Sequence, residues 1–125
     1  MRIYFALTRS DLEGLASLGG LETDTVSKLT IYAQTEPWIA AQDESDPEVL
    51  DDEILAQTVG EHPGYLVVAE VSDAEVSELN PIEGQIRVHG PIRLKDVAAF
   101  FHVDENVELS WFGPTELPVL LDLGR

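Results

Sequence analysis

Cysteine is absent from the sequence, and its absence removes several kinds of chemistry at once. Without it there are no disulfides, no thiolate nucleophiles and no cysteine-ligated metals. Any chemistry must therefore use oxygen and nitrogen groups. The absence of cysteine fits a reducing compartment, and we expect a cytoplasmic protein.

Long apolar runs are missing as well. No unbroken run is longer than that of residues 65–69, far below the roughly 18 residues needed to span a bilayer. The first residues, MRIYFALTRSD, turn polar too soon for the apolar core of a secretory signal, which takes about 7 to 15 residues. We therefore expect neither a membrane span nor a secretory signal.

Cationic residues are scarce. Seven Lys and Arg stand against 24 Asp and Glu, for a formal net charge of −17, and no cation lies in residues 29–86. Nucleic-acid affinity depends on clustered cations that contact phosphates, so direct binding to DNA, RNA or anionic lipid is disfavoured. The simplest interpretation is that the charge keeps the protein soluble. The alternative is an acidic mimic of nucleic acid that binds a basic partner.

Motifs of common catalytic and cofactor sites are also absent. The sequence contains neither of the two glycine-rich phosphate-binding patterns, Gly-x-Gly-x-x-Gly and Gly-x-x-x-x-Gly-Lys-(Ser/Thr). It also lacks the Gly-x-Ser-x-Gly turn that presents a nucleophilic serine. The acidic stretch at residues 43–53 fails the calcium-loop spacing, because Glu48 stands where glycine is required and Ile54 where glutamate is required. We therefore predict no cofactor and no metal site.

The sequence does contain alternating strand and helix patterns. Residues 2–8 alternate as a strand covered on at least one side, and GYLVVAEV at 64–71 is apolar on both faces, which is typical of a central strand. Further strands are predicted at residues 28–34, 84–90, 98–104 and 107–113. These patterns predict an α+β (mixed α/β) fold in which residues 1–125 form a single compact domain with a five- to six-stranded mixed sheet and short helices.

Capping residues mark the predicted helices. Ser10 and Glu13 have the capping-box spacing, Thr35 precedes a short helix, and Asp46 with Pro47 begins a longer one. Ser72 repeats the capping-box spacing, which predicts helical turns before Pro81. Another helical turn is predicted at residues 92–97, and a terminal turn or short helix at 114–125, interrupted by Pro118.

The stretch HGPIRLKDVAAFFHVDE, residues 89–105, concentrates ionisable groups in an otherwise acidic chain. On a strand at 98–104, His102 and Asp104 share a face, and the carboxylate would raise the pKa of the imidazole. The candidate ligand or partner contacts are Tyr32, Arg87, His89, Arg93, His102 and Asp104. The interpretation we favour is that the ionisable groups at 89–104 decorate strands and turns and do not converge on one point.

The segments MRIYFALTRSDLEGL, TIYAQTEPW, GYLVVAEVSDAEV and GQIRVHGPIRLKDVAAFFHVDE resemble a family of small, acidic, uncharacterised actinobacterial proteins, a domain of unknown function. Its pattern has a Met-Arg-(Ile/Val)-Tyr start and a late Val-Ala-Ala-x-x-His-Val-Asp segment. The resemblance covers nearly the whole chain and is most specific at residues 90–104. The sequence departs from it at Glu36, which separates Thr35 from Pro37, and in the tail from Trp111. The resemblance implies a bacterial cytoplasmic origin and no particular activity.

The order of IYFALT, IYAQTEPWIAA, GYLVVAEV and GPIRLKDVAAF also looks like a shortened ADP-ribosyltransferase layout. Those enzymes use an Arg or His in the first strand, an aromatic or hydroxyl residue in the second, and a late catalytic Glu. Arg2 and Tyr32 loosely match the first two, and no Glu matches the third. This likeness implies a degenerate or active enzyme as an alternative to our main prediction. That main prediction is a non-enzymatic domain that binds a protein or small ligand.

Overall fold

The computed structural model describes residues 1–60 and 64–123. Short 3-10 turns lie at Asp73–Glu75, Pro81–Glu83, Leu94–Asp96 and Pro114–Glu116. The strands and helices of the described residues are, in chain order, β1 Arg2–Leu7, α1 Arg9–Leu18, β2 Gly20–Leu21, α2 Thr23–Val26, β3 Ile31–Tyr32, α3 Glu36–Gln42, α4 Pro47–Val59, β4 Gly64–Glu70, β5 Val76–Asn80, β6 Gln85–Val88, β7 Ile92–Arg93, β8 Val97–Val103, β9 Leu109–Phe112 and α5 Leu117–Asp122.

Seven of the strands form one sheet in the order β5-β6-β3-β1-β4-β8-β9, and β2 pairs with β7 separately. Every strand pair in the described residues is antiparallel. The predicted combination of helices and strands in one compact domain is confirmed. The prediction of a five- to six-stranded mixed sheet is wrong in strand number and in direction.

The extra strand is β5, which lies where helical turns were predicted before Pro81. The spacing of Ser72 and Glu75 produces only the 3-10 turn Asp73–Glu75, in which the Ser72 hydroxyl accepts from the Ala74 N–H. The chain then extends, and Val76 pairs with Val88 of β6. Pairing with a strand farther along the chain therefore overrides the local helical signal.

The sheet is covered on both faces. On one face Ile3, Phe5 and Phe100 are fully buried beneath α1 and α5, which contribute the core residues Leu12, Leu15, Leu117 and Leu120. On the other face Tyr4 and Val68 pack against Trp38 of α3 and Ile54 of α4. This burial explains why β1 and β4 are apolar on both faces.

Local signals set most helix boundaries. The Thr35 hydroxyl accepts from the Trp38 N–H at 3.2 Å and the Asp46 carboxylate from the Glu48 N–H at 3.0 Å, so these two predicted caps are confirmed. The predicted cap Ser10 is wrong by two residues, because Thr8 caps α1 and Ser10 lies inside it.

The late segments differ partly from expectation. The predicted helical turn at 92–97 begins as β7 and becomes helical only at Leu94–Asp96. Pro118 does not interrupt the last helix but occupies the first turn of α5, where its missing N–H costs nothing. Residues 124 and 125 of the predicted terminal segment lie outside the described residues. None of the helices in the described ranges combines the length and apolar character needed to cross a bilayer.

Candidate ligand-binding groove

The ionisable residues singled out by the sequence lie on separate parts of the fold. His89 follows β6 and His102 lies on β8, with β3, β1 and β4 between them. Four strand spacings separate β6 from β8 by roughly 19 Å. Arg93 belongs to β7, in the two-stranded ribbon outside the main sheet. The structure therefore does not bring His89, Arg93 and His102 together.

His89 and Arg87 lie on the surface near the β5 edge of the sheet. The His89 Nε2 lies 2.6 Å from the Ser77 hydroxyl, and its backbone N–H donates to the Glu75 carbonyl at 2.7 Å. Arg87 is exposed and stands opposite Ser77 in the β5–β6 register. These contacts hold β5 to β6.

His102 and Asp104 have separate structural partners. The rings of His102 and Tyr65 pack in a T-shaped arrangement with their centroids 5.6 Å apart. The Asp104 Oδ1 accepts from the N–H groups of Asn106 at 2.8 Å and Glu108 at 3.0 Å, which organises the turn before β9. Across the described ranges, no hydrogen bond joins His102 to Asp104.

Arg2 and Tyr32 are the two residues suggested by the ADP-ribosyltransferase likeness, and in the described part of the chain each has its own contacts. Tyr32 is half-buried and pairs with Tyr4 across β3 and β1. Arg2 forms a 2.9 Å ion pair with Glu70 and lines a small cavity of about 240 Å³ whose lining does not include Tyr32. The guanidinium is therefore already engaged by a carboxylate of the chain itself.

A larger groove of about 780 Å³ lies between α1, the turn Leu94–Asp96 and residues 114–121. Two polar side chains, Lys95 and Thr115, are part of its lining. The remaining lining residues are apolar: Ala16, Leu94, Val97, Pro114, Leu117, Pro118 and Leu121.

Helix packing creates this groove. Leu12 and Leu15 of α1 and Leu117 and Leu120 of α5 are buried in the shared core. The side chains one position farther along, Ala16 and Leu121, are only partly buried and face the groove.

Arg9 fixes α5 against α1. Its guanidinium donates to the Leu121 carbonyl and, at 3.0 Å, to the Tyr65 hydroxyl. A third bond, from Nε to Glu13 at 3.1 Å, orients the same group along α1. One side chain thus joins the first helix, the central strand β4 and the last helix, and its bond to the Leu121 carbonyl holds a residue that lines the groove.

Lys95 supplies the positive charge of the groove. It is exposed, and no ion pair or hydrogen bond engages its ammonium group in the part of the chain that the structure describes. Lys28, Arg87 and Arg93 are also without an ion pair among the described residues, so what distinguishes Lys95 is its position in the lining of the groove. Sequence reasoning selected the neighbouring Arg93 instead. The groove itself carried no local signal, because its walls come from opposite ends of the chain.

Among residues 1–60 and 64–123, no group of three or more His, Asp or Glu side chains is arranged to hold a metal ion. In comparisons with known proteins, no protein-family model, curated protein or solved structure matches this chain.

Proposed function

We propose that this protein is a non-enzymatic binding domain that holds a small apolar molecule carrying one negative charge in the groove between α1 and α5. The observation that carries the proposal is a mostly apolar groove of about 780 Å³ that includes an unpaired lysine. Its volume falls in the range of small-molecule sites, roughly 300–1,000 Å³, which combine apolar walls with a few polar groups.

The chemistry of the groove selects the class of ligand. Leu94, Leu117 and Leu121 favour an apolar body, because each Å² of apolar surface removed from water contributes about 25 cal/mol. Lys95 favours one anionic group near the turn Leu94–Asp96. The net charge of −17 opposes ligands with several negative charges, such as nucleotides and oligonucleotides.

The proposal also includes the cytoplasmic location and the family membership expected from the sequence. The absence of cysteine supports a cytoplasmic location. Membership of the actinobacterial family remains a prediction. No contact among the described residues favours ADP-ribosyltransferase chemistry or nucleic-acid mimicry over ligand binding.

A fluorescence titration tests the proposal with two probes of similar size. One is 1-anilinonaphthalene-8-sulfonate, which has an apolar ring system and one negative charge, and the other is the uncharged N-phenyl-1-naphthylamine. We expect both probes to bind the folded wild type. Ala16→Phe fills the groove and should abolish most binding of both.

Two lysine variants isolate the charge. Lys95→Gln should weaken binding of the sulfonate probe by roughly two- to fivefold, the range of one exposed ion pair, and leave the neutral probe unchanged. Lys28→Gln makes the same charge change at an exposed position outside the groove and is the matched control. Equal effects of the two lysine variants, or unchanged binding in Ala16→Phe, would refute the proposal.

A further inference from the structure

The last strand, β9, forms one edge of the sheet. It pairs with β8 through Phe112 opposite Phe100, Trp111 opposite Phe101 and Leu109 opposite Val103. Among the described residues no strand pairs with its other side, because the strand order ends at β9.

The alternation of hydrogen bonds between β8 and β9 shows which backbone groups of β9 are not bonded to β8. Asp104 N–H donates to the Glu108 carbonyl at 3.1 Å, so residues 104 and 108 are a hydrogen-bonded pair. In an antiparallel ladder such pairs alternate, and the next ones along are 102 with 110 and 100 with 112. The N–H and C=O groups of Leu109 and Trp111 therefore point away from β8, towards the open edge.

Charge and proline, two features that protect sheet edges against pairing, are missing from β9 itself. The strand LSWF carries no charge and no proline, and Trp111 and Leu109 are 63% and 39% exposed. At the opposite edge, β5 contains Glu78, has an irregular register after it and runs into Pro81, all of which discourage another strand. Of the two edges of the seven-stranded sheet in the described residues, the β9 edge is therefore the one open to strand addition.

Charge indicates what kind of strand fits. Exposed Glu105, Glu108 and Glu116 flank the two ends of β9, and residues 96–123 contain no Lys or Arg. A second copy of this chain would bring the same negative charges together, whereas a positively charged strand would be attracted to them.

We propose that β9 is a docking edge for an extended, positively charged peptide segment of a partner protein. The segment adds to the sheet as an eighth strand and bonds to the free backbone groups of Leu109 and Trp111. Its alternate apolar side chains pack on the exposed Trp111 ring, and its lysines or arginines meet the flanking glutamates. Leu109 and Trp111 do not line the groove, so this interaction is independent of the proposed ligand site.

The test uses a nine-residue peptide of alternating lysine and valine, with the full-length protein labelled for NMR. Binding should slow amide hydrogen exchange at Leu109 and Trp111, while Ser110 and Phe112, already bonded to β8, change little. A control peptide of alternating lysine and proline has the same charge but cannot pair as a strand, and it should not protect these amides.

Two protein variants localise the binding. Trp111→Lys should lower the affinity for the lysine–valine peptide by roughly tenfold or more, because it removes an aromatic contact and adds a repulsive charge. Leu18→Lys makes the same charge change at a side chain that is 71% exposed on α1, and it should leave the affinity nearly unchanged. Leu109→Lys is a second edge variant in case Trp111→Lys does not fold.

Three results would overturn the proposal. The first is no binding, or equal binding of the two peptides. The second is protection of amides elsewhere in the sheet. The third is a dimer of the protein alone, seen by sedimentation equilibrium and lost in Trp111→Lys, which would assign the edge to a second copy of this chain.

Discussion

The phenolic hydroxyl of Tyr4 donates a 3.0 Å hydrogen bond to Oδ1 of Asp51, which ties the first strand to the acidic helix α4. The Gln34 side-chain amide donates to the same carboxylate oxygen at 2.8 Å and adds the segment after β3 to this junction. Burial and then the hydrogen bond to Asp51 raise the pKa of Tyr4 above its ordinary value of about 10. The junction therefore stabilises the fold only while Tyr4 keeps its proton.

Tyr4→Phe should make the protein less sensitive to alkaline pH. The stabilising effect of the raised pKa is complete below about pH 10 and is lost as the pH rises further, because the unfolded tyrosine releases its proton first. Above that pH the wild type should lose at most about 1.4 kcal/mol per pH unit more than the variant. Urea unfolding at pH 9 and pH 11 measures the difference. Parallel losses in the two proteins would show that Tyr4 does not contribute in this way.

Gly84→Ala should destabilise the protein by about 2 kcal/mol. Gly84 has a φ of +74°, and a Cβ there would lie 2.8 Å from the Ala33 carbonyl oxygen and 3.2 Å from Cγ of Trp38. Gly14→Ala is the matched control, since nothing lies within 4 Å of a Cβ at that helical position. It should stabilise the protein by roughly 0.5–1 kcal/mol. Chemical denaturation of both variants checks the opposite signs.

Arg9→Gln should loosen the groove without unfolding the protein. The shorter amide cannot reach the Leu121 carbonyl, the Tyr65 hydroxyl and Glu13 together, so α5 loses its connection to α1 and β4. We expect about 1–3 kcal/mol of destabilisation and weaker binding of both fluorescent probes. Arg87→Gln, an exposed arginine on β6, changes the charge equally and should leave probe binding intact. Unchanged probe affinity in Arg9→Gln would mean that α5 holds its position without this residue.

His102→Gln should act on stability alone. It removes the edge contact with the Tyr65 ring, and we expect a loss of about 1 kcal/mol, seen as a melting temperature lower by a few degrees. Affinity for the anionic probe should match that of the wild type. Lost binding at unchanged melting temperature would instead give this histidine a role in a ligand site.

Local patterns predicted much of the fold. The apolar faces of β1, β4 and β8, and the caps Thr35 and Asp46, follow from interactions between residues near one another in the sequence. The strand β5 was missed because its stability depends on β6, on the far side of a turn. The spacing of Ser72 and Glu75 indicated a helix locally, and it carries no information about pairing across the turn Pro81–Glu83.

The groove could not be predicted for a similar reason. Its walls join Ala16, near the start of the chain, to Leu94 and Leu121, and only packing in three dimensions brings them together. Clustering along the sequence directed attention to residues 89–105, yet the sheet separates His89 from His102. Of the residues in that stretch, Leu94, Lys95 and Val97 line the groove.

The most direct test of ligand binding is an NMR measurement of through-space contacts between decanoate and the protein. Decanoate has an apolar chain and one carboxylate, the chemistry that the groove selects. We predict contacts from its methylene protons to the methyl groups of Leu94, Leu117 and Leu121, with its carboxylate end nearest Lys95. Contacts confined to other surfaces, such as the exposed Leu79 and Ile82, or no contacts at saturating decanoate, would contradict the account.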